Sequence, residues 1–278
     1  MSLSPHQPDI DAIESLRWAA LACDYDGTLA SSGRVRPKTL EALAQVQHSR
    51  RKLVLVTGRE LDDLFSIFPM VPLFDRVVAE NGAVLYDPAT GEHRLLADRP
   101  PREFLAALHE RELEPLSVGH AIVATLRGQR RTVSKVIRDL RLPLTLILNK
   151  PVMVLPQGVN KATGLMAALH DIGVAPEETV GIGDAENDVD FLTLCGYSAA
   201  VANALPVLKQ KVDMVTSRRH GEGVIELVNT LLKRKWTYLV TSAAQSRPKP
   251  YIGHHRFASS YSNLNASMGS SCAALRAG

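Results

Sequence analysis

Short apolar segments alternate along this chain with segments in which apolar residues recur at helical spacing. WAALAC (18–23), KLVLV (52–56) and ETVGIGD (178–184) have the composition of buried strands, and a helical segment follows each of them. Strands that alternate with helices form βαβ units, and such units build a mostly parallel sheet. The sequence therefore predicts an α/β fold around a parallel sheet.

The region from 84 to 157 departs from this alternation. It contains a long strand at 116–126, two helical segments, and two apolar segments placed back to back, LTLILNK and PVMVLPQ. This order is typical of an α+β unit with antiparallel strands. We therefore predict a small α+β domain at 84–157, inserted between a first part of the core at 1–83 and a second part at 158–235.

The C-terminal segment 236–278 differs from the rest in charge and composition. Residues 233–278 carry seven Lys and Arg and no acid, whereas residues 1–232 hold 25 basic and 29 acidic residues. The overall net charge of +3 therefore gives no support to a nucleic-acid-binding body. Frequent Ser, Pro and Gly without apolar periodicity predict a disordered basic tail. Docking of this tail on the acidic body is the alternative, but such pairing is weak and screened by salt, so we expect the tail to be dispensable.

Apolar runs and cysteines exclude several classes of protein. The longest apolar runs span about six residues, whereas a transmembrane helix needs about 20. The N-terminal sequence lacks the basic-then-apolar layout of a secretory signal, so we expect a soluble, cytoplasmic protein without a membrane partner. Three widely spaced cysteines fit neither a disulfide framework nor a zinc site.

Two carboxylates follow the first predicted strand directly. Asp24 and Asp26 lie two residues apart in DYDGT, so both can project from one strand end, and Gly27 permits a sharp chain reversal. Ligands of open α/β sheets bind at this edge of the sheet. Two close carboxylates repel each other unless a cation lies between them, and oxygen ligands suit Mg²⁺. Aspartate is also a known nucleophile toward phosphoryl groups.

Three more polar clusters lie at strand ends or helix starts. TGR (57–59) follows KLVLV and offers a hydroxyl and backbone N–H groups to an anion, although an ordinary N-cap has the same composition. Lys161 opens the helix after the insertion, where its charge opposes the helix dipole and needs an anionic partner. GDAEND (183–188) places Asp184 and Asp188 four residues apart, close to one helical face, which fits a metal site.

The order of these motifs resembles that of a known superfamily, the haloacid dehalogenase superfamily of phosphatases. Its four motifs match, in chain order, DYDGT (24–28), VTGR (56–59), Lys161 in GVNKATGL, and GDAEND (183–188). Its Cof-type branch, in which an α+β cap is inserted after the third strand, is similar in ENGA (80–83), VANA (201–204) and GEGV (221–224). The resemblance covers about 18–232 and leaves out the tail. It implies a Rossmann-like parallel core with an inserted α+β cap.

The resemblance also implies a role for each motif residue. Asp24 would attack phosphorus and ligate Mg²⁺. Asp26 would protonate the leaving alcohol, then activate water, and would offer its backbone carbonyl to the metal. Asp184 and Asp188 would complete the metal site. The residues that would contact the phosphate group are Thr57, Gly58, Lys161 and Asn187.

These features predict Mg²⁺-dependent hydrolysis of a small phosphomonoester through an aspartyl-phosphate intermediate. The acid at position 26 distinguishes the chain from the dehalogenases, which lack it, and from the transport ATPases, which carry Thr. The substrate would be a sugar phosphate or a phosphoglycolate-like acid. A basic helix face with Arg131, Lys135 and Arg138 either selects such an anion or simply faces solvent. The alternatives are a phosphomutase resembling the phosphomannomutases and a non-catalytic binding or regulatory protein; the oligomeric state is left open.

Overall fold

A computed structural model describes residues 18–148 and 151–232 of the chain. The predicted tail at 236–278 lies outside the described residues. In chain order the described strands are β1 (Ala20–Asp24), β2 (Lys52–Val56), β3 (Arg76–Ala79), β4 (Val84–Asp87), β5 (Glu92–Leu95), β6 (Leu116–Val118), β7 (Val123–Leu126), β8 (Leu144–Leu148), β9 (Pro151–Pro156), β10 (Thr179–Gly183), β11 (Tyr197–Ala200) and β12 (Met214–Val215). The described helices are α1 (Pro37–His48), α2 (Leu61–Ile67), α3 (Arg102–His109), α4 (Arg130–Asp139), α5 (Lys161–Ile172), α6 (Val189–Leu194), α7 (Pro206–Lys209) and α8 (His220–Leu232).

The larger sheet has eight strands in the order β12-β11-β10-β1-β2-β3-β4-β5. The strands from β12 to β3 are parallel, and β4 and β5 extend the sheet by antiparallel pairing. Every residue of β1 is buried, and β1 pairs with β10 on one side and with β2 on the other. The ends of β1, β2 and β10 therefore meet at one edge of the sheet, as the βαβ pattern predicts.

Helices cover this sheet through apolar positions at helical spacing. In α1 the buried residues are Thr39, Ala42, Leu43 and Val46, and Pro37 fits the first turn because its fixed φ and missing N–H cost nothing there. Helix α1 packs against α8, and α5 packs against β2 and β3. A capping box starts α5: Asn160 Oδ1 accepts the N–H of Thr163 at 2.9 Å, and Thr163 Oγ1 accepts that of Asn160.

The second sheet has four antiparallel strands in the order β6-β7-β9-β8. Helices α3 and α4 pack against it through a small apolar core formed by Phe104, Leu108, Leu113, Val123, Val133, Val136 and Val154. The antiparallel α+β character predicted for this region is therefore present. The single long strand predicted at 116–126 is instead a hairpin, because the chain turns between β6 and β7.

The position of β4 and β5 bears on the predicted boundary at residue 84. Both strands are hydrogen-bonded to the larger sheet, β4 to β3 and β5 to β4. By sheet membership, an insertion would therefore begin after Leu95 rather than at 84. The division of the chain into a core and an inserted domain remains a prediction. Within the two described ranges, none of the helices has both the length and the apolar character required to cross a bilayer.

Candidate active site

Four chain segments meet at the carboxyl edge of the larger sheet and line a cavity of about 870 Å³. Asp24 ends β1, Gly58 follows β2, Asp184 follows β10, and Lys161 begins α5. The opposite wall comes from the second sheet and its turn, and we call this wall the roof. The roof residues are Ser117, Ile122, Ala124, Pro151 and Met153.

Lys161 lies between two carboxylates in a nearly solvent-free position. Its Nζ donates to Asp24 Oδ1 at 2.5 Å and to Asp188 Oδ1 at 2.7 Å, and all three side chains are buried. Burial lowers the pKa of Lys161, but Asp188 and Asp24 raise it by more, so the net shift is upward. The lysine is therefore held as a cation, which answers the sequence argument that it needs an anionic partner.

Asp24, Asp184 and Asp188 form a carboxylate cluster whose ligand atoms lie within 4.8 Å of one another. Burial, followed by repulsion from Asp188, raises the pKa of Asp24 well above its usual range. The same two causes raise the pKa of Asp184 to about 6. One lysine faces three carboxylates, so a second cation would be needed for all three to be ionised together.

The donor set of this cluster fits a hard divalent ion such as Mg²⁺. Its ligands would be carboxylate oxygens, which Mg²⁺ prefers. Asp24 Oδ2 is buried and, within the described ranges, has no hydrogen-bond partner. A buried acceptor without a donor is costly, and a cation would satisfy it. Asp188 is held for this purpose by the backbone, because its Oδ2 accepts the N–H groups of Asp184 at 2.9 Å and Ala185 at 2.8 Å.

Two glycines allow these carboxylates to come so close. A Cβ at Gly27 would lie 2.1 Å from Asp184 Oδ2, and the φ of Gly27 is +85°. A Cβ at Gly183 would lie 2.7 Å from Asp188 Oδ2. The sequence argument placed Asp184 and Asp188 on one helical face. In the structure they lie before α6, and a short turn at Glu186–Asp188 brings them together.

Asp26 differs from Asp24 in exposure and partners. Its side chain is 48% exposed and receives two hydrogen bonds from Arg59, from Nε at 2.6 Å and from Nη2 at 2.8 Å. Arg59 also donates to Asp63 at 2.5 Å, and its hydrogen bond with Asp26 raises the pKa of the guanidinium. The sequence argument gave Arg59 no role; only its place in the VTGR motif could have pointed to it.

The predicted phosphate-contacting residues lie close together but are not equally accessible. Gly58, Lys161 and Asn187 line the cavity, whereas Thr57 is fully buried and is not among the lining residues. Thr57 Oγ1 accepts the backbone N–H of Arg59 at 3.1 Å, so it shapes the turn that presents Gly58.

Other polar groups of the region differ from what the sequence suggested. Asn187 Nδ2 donates to Asn81 Oδ1 at 2.9 Å, and sequence reasoning missed Asn81 as a site residue although ENGA was noted. The basic face of α4 does not contribute to the cavity. The three basic side chains of this face are exposed, in agreement with the alternative that the face simply contacts solvent: Arg131, Lys135 and Arg138.

Comparison with known proteins agrees with this geometry. A family model described as haloacid dehalogenase-like hydrolase matches residues 21–114 and 130–228, more than half of the chain. The chain belongs to this family. It is 32% identical over 227 residues to the phosphoglycolate phosphatase of Methanothermobacter thermautotrophicus, covering 77% of this chain and 98% of the relative. It is 30% identical over 224 residues to the phosphoglycolate phosphatase of Natronomonas pharaonis, with 76% and 96% covered.

Solved structures of the family share the fold. A haloacid dehalogenase-like hydrolase from Bacteroides thetaiotaomicron superimposes with a TM-score of 0.67 at 22% identity, covering 77% of this chain and 100% of that chain. The predicted α/β fold and the resemblance to the Cof-type branch are thereby confirmed. The chain is a hydrolase of this family, and its relatives support a phosphatase.

Proposed function

We propose that this hydrolase cleaves small phosphomonoesters through an aspartyl-phosphate formed on Asp24. The observation that carries the proposal is the placement of Asp24: a buried carboxylate at the end of the central strand, fixed by Lys161 and lining the cavity. A fixed, desolvated carboxylate is poised to attack phosphorus, and the adjacent cation offsets the repulsion between the carboxylate and the phosphate.

The reaction would proceed in two displacements at phosphorus. An Asp24 oxygen forms a bond to phosphorus while the ester P–O bond breaks, and protonated Asp26 gives its proton to the leaving alcohol oxygen. Water then attacks phosphorus, its proton passes to Asp26, and the bond to Asp24 breaks to release inorganic phosphate. Asp26 suits this role by position, because it is half exposed, lines the cavity and lies two residues after Asp24.

Three groups that line the cavity would hold the phosphate. Lys161 and the backbone N–H groups of the turn at Gly58 would contact the phosphate oxygens, and the Asn187 side chain would contribute a third contact. Mg²⁺ held by Asp24, Asp184 and Asp188 would neutralise phosphate charge and polarise its oxygens.

Phosphoglycolate is the substrate that we propose within this class. Support comes from relatives that bear this activity in their names at 32% and 30% identity. Among the described residues, Lys161 and Arg59 are the basic Lys and Arg side chains that line the cavity, and Arg59 lies beside Asp26, where the leaving group would be. This guanidinium already pairs with Asp26 and Asp63, so a carboxylate on the leaving group would have to share it. A sugar phosphate also fits the volume of the cavity, so the choice rests on the relatives.

A panel of phosphate esters assayed for phosphate release tests the proposal. We expect phosphoglycolate to give the highest kcat/KM, activity to vanish in excess EDTA, and a phosphorylated Asp24 peptide to be recovered after acid quenching. Asp24→Asn keeps the shape of the side chain and removes the nucleophile, so it should lower kcat by several orders of magnitude. A variant that keeps more than about a tenth of the activity would assign the nucleophile elsewhere. Phosphate transfer to a second hydroxyl, without net release, would indicate a mutase.

A further inference from the structure

Glu80 is a buried carboxylate that the proposed reaction does not use. Its side chain has 0% exposure, and among the described residues no Lys or Arg pairs with it. Oε1 accepts the backbone N–H of His120 at 2.9 Å and lies 3.2 Å from His120 Nδ1. Oε2 accepts the N–H groups of Ala121 at 2.8 Å and Ile122 at 3.1 Å.

These bonds join the larger sheet to the second sheet. Glu80 follows β3, whereas His120, Ala121 and Ile122 form the turn between β6 and β7. A buried carboxylate is tolerated only when donors surround it, and here consecutive backbone N–H groups converge on its two oxygens. Because Ile122 is a roof residue, the Glu80 carboxylate fixes one edge of the roof directly.

The backbone of the turn at Glu80–Gly82, which carries the Glu80 carboxylate, is fixed to the segment after β2 that includes Gly58. The N–H of Glu80 donates to the carbonyl of Arg59 at 2.9 Å, and the N–H of Asn81 donates to that of Thr57 at 3.0 Å. Glu80 and Asn81 both have positive φ, +51° and +53°. Non-glycine residues adopt this conformation only where the surrounding contacts enforce it.

The Asn81 side chain extends the connection across the cavity. Its Nδ2 donates to the sulfur of Met153, a roof residue, at 3.1 Å, and its Oδ1 accepts from Asn187. The turn at Glu80–Gly82 therefore contacts the segments proposed to bind phosphate and two separate points of the roof.

We call the proposed phosphate contacts Gly58, Lys161 and Asn187 the phosphate-binding edge. We infer that Glu80 is a positioning residue that sets the distance between the roof and this edge, and so determines which leaving groups fit. This inference rests on the proposed function of the site. Glu80 does not line the cavity and takes no part in the chemistry. It acts through Ile122, whose place over the site depends on three backbone hydrogen bonds to one carboxylate.

Glu80→Gln removes the charge and leaves one oxygen where two were accepting. The new amide N–H₂ then faces backbone N–H donors, so part of the turn loses its anchor. Gly119→Ala disturbs the same contact from the opposite side without removing the carboxylate. A Cβ at Gly119 would lie 2.9 Å from the carboxylate atoms of Glu80, so either the turn or the carboxylate must shift.

A matched control is Glu226→Gln. Glu226 also accepts backbone N–H groups from a turn, those of Ser217 at 3.0 Å and Arg218 at 3.1 Å, but neither its own side chain nor those donors line the active-site cavity. Both substitutions remove a carboxylate that binds the backbone of a turn, but only the turn bound by Glu80 contains a roof residue. An effect seen in Glu80→Gln and absent in Glu226→Gln is therefore due to the roof.

The experiment measures KM for the best ester of the panel, the inhibition constant of inorganic phosphate, and amide exchange at residues 120–122. We expect inorganic phosphate to contact only the phosphate-binding edge, whereas the leaving group of an ester would also contact the roof. For Glu80→Gln and Gly119→Ala we expect KM to rise about tenfold with the phosphate constant within about twofold of the parent. Amide exchange at 120–122 should quicken by about tenfold or more in Glu80→Gln. Glu226→Gln should change none of the three.

Three outcomes would overturn the inference. One is a KM that stays unchanged in both variants while exchange at 120–122 quickens. Another is a KM and a phosphate constant that rise together, because Glu80 would then act on the phosphate-binding edge rather than on the roof. The third is unchanged exchange in Glu80→Gln. If the parent protein hydrolyses no ester, the proposed function fails, and the exchange measurement still tests the anchoring of the turn.

Discussion

Replacing Lys161 by Met tests the electrostatic account of the site most directly. The substitution removes the cation that contacts Asp24 at 2.5 Å and Asp188 at 2.7 Å and leaves both carboxylates buried. Each charge-assisted hydrogen bond contributes about 1.5–3 kcal/mol, and removing one partner from a buried ion pair typically costs about 3–5 kcal/mol. We therefore expect Lys161→Met to lower the free energy of unfolding by about 3–5 kcal/mol in EDTA at pH 7.5.

The sign of the pH dependence follows from the pKa of Asp24. Burial and Asp188 raise this pKa above its unfolded value, whereas Lys161 lowers it, so removing Lys161 raises it further. A carboxylate with a raised folded pKa costs nothing below its unfolded pKa, and the cost grows as the pH rises toward the folded pKa. The destabilisation should therefore be smaller at pH 5 than at pH 7.5.

Denaturant unfolding in EDTA at both pH values measures this effect. The matched control is Lys209→Met, because Lys209 Nζ donates to the neutral carbonyl of Ala202 at 2.6 Å. Losing that single, part-buried bond should cost about 1.5 kcal/mol, the low end of the range for a charged donor, with little dependence on pH. If Lys161→Met costs no more than the control, or if its effect grows toward pH 5, the carboxylates are not ionised as argued.

Further predictions concern proton transfer, metal binding and the tail. Asp26→Asn should lower kcat for alkyl esters about 10²–10⁴-fold, because the alcohol must be protonated as it leaves. The loss should be smaller for p-nitrophenyl phosphate, whose leaving group needs no proton, and equal losses in steady-state assays would contradict the acid role. Burial and Asp188 raise the pKa of Asp184 to about 6, so protons should compete with Mg²⁺ for this carboxylate near that pH. For the same reason the metal-free protein should lose folding stability as the pH rises from about 4 to about 6, because Asp184 must then ionise in a partly buried site. The rise in melting temperature on adding Mg²⁺ should therefore be larger at pH 7.5 than at pH 5, and an equal rise would refute it. Truncation after Lys235 should leave melting temperature and turnover unchanged, since the tail's composition offers little to offset the entropy of ordering; a tenfold loss of turnover (about 1.4 kcal/mol) would show that the tail belongs to the working enzyme.

Strand ends made much of the site predictable from sequence. Asp24 ends one short apolar strand and Asp184 follows another, and the parallel sheet places such ends together. Lys161 was predictable as a helix start with an unusual charge. The positions of these residues could be inferred because they depend on local periodicity and on one topological rule, whereas their roles remain predictions.

The contacts around the turn after β3 were not predictable in the same way. RVVAENG is typical of one continuous strand, yet the strand ends at Ala79 and the next two residues have positive φ. The partners of Glu80 are backbone N–H groups 40 residues away, and backbone donors leave no trace in a sequence. The pairing of β4 and β5 with the larger sheet was missed for a similar reason, since period-two patterns do not identify the partner strand.

The pairing of β1 has a consequence for how the chain acquires its structure. Ala20 lies beside Thr179, so the central strand finds one neighbour only after more than half of the 278 residues have been made. Contacts between distant parts of a chain slow folding and leave strand edges exposed in the interval. During synthesis β1 can pair with β2 early, but its other edge has no partner until β10 leaves the ribosome. We expect nascent chains that end before residue 179 to be protease-sensitive and to need chaperone protection, because the central strand of the sheet still lacks one of its two neighbours.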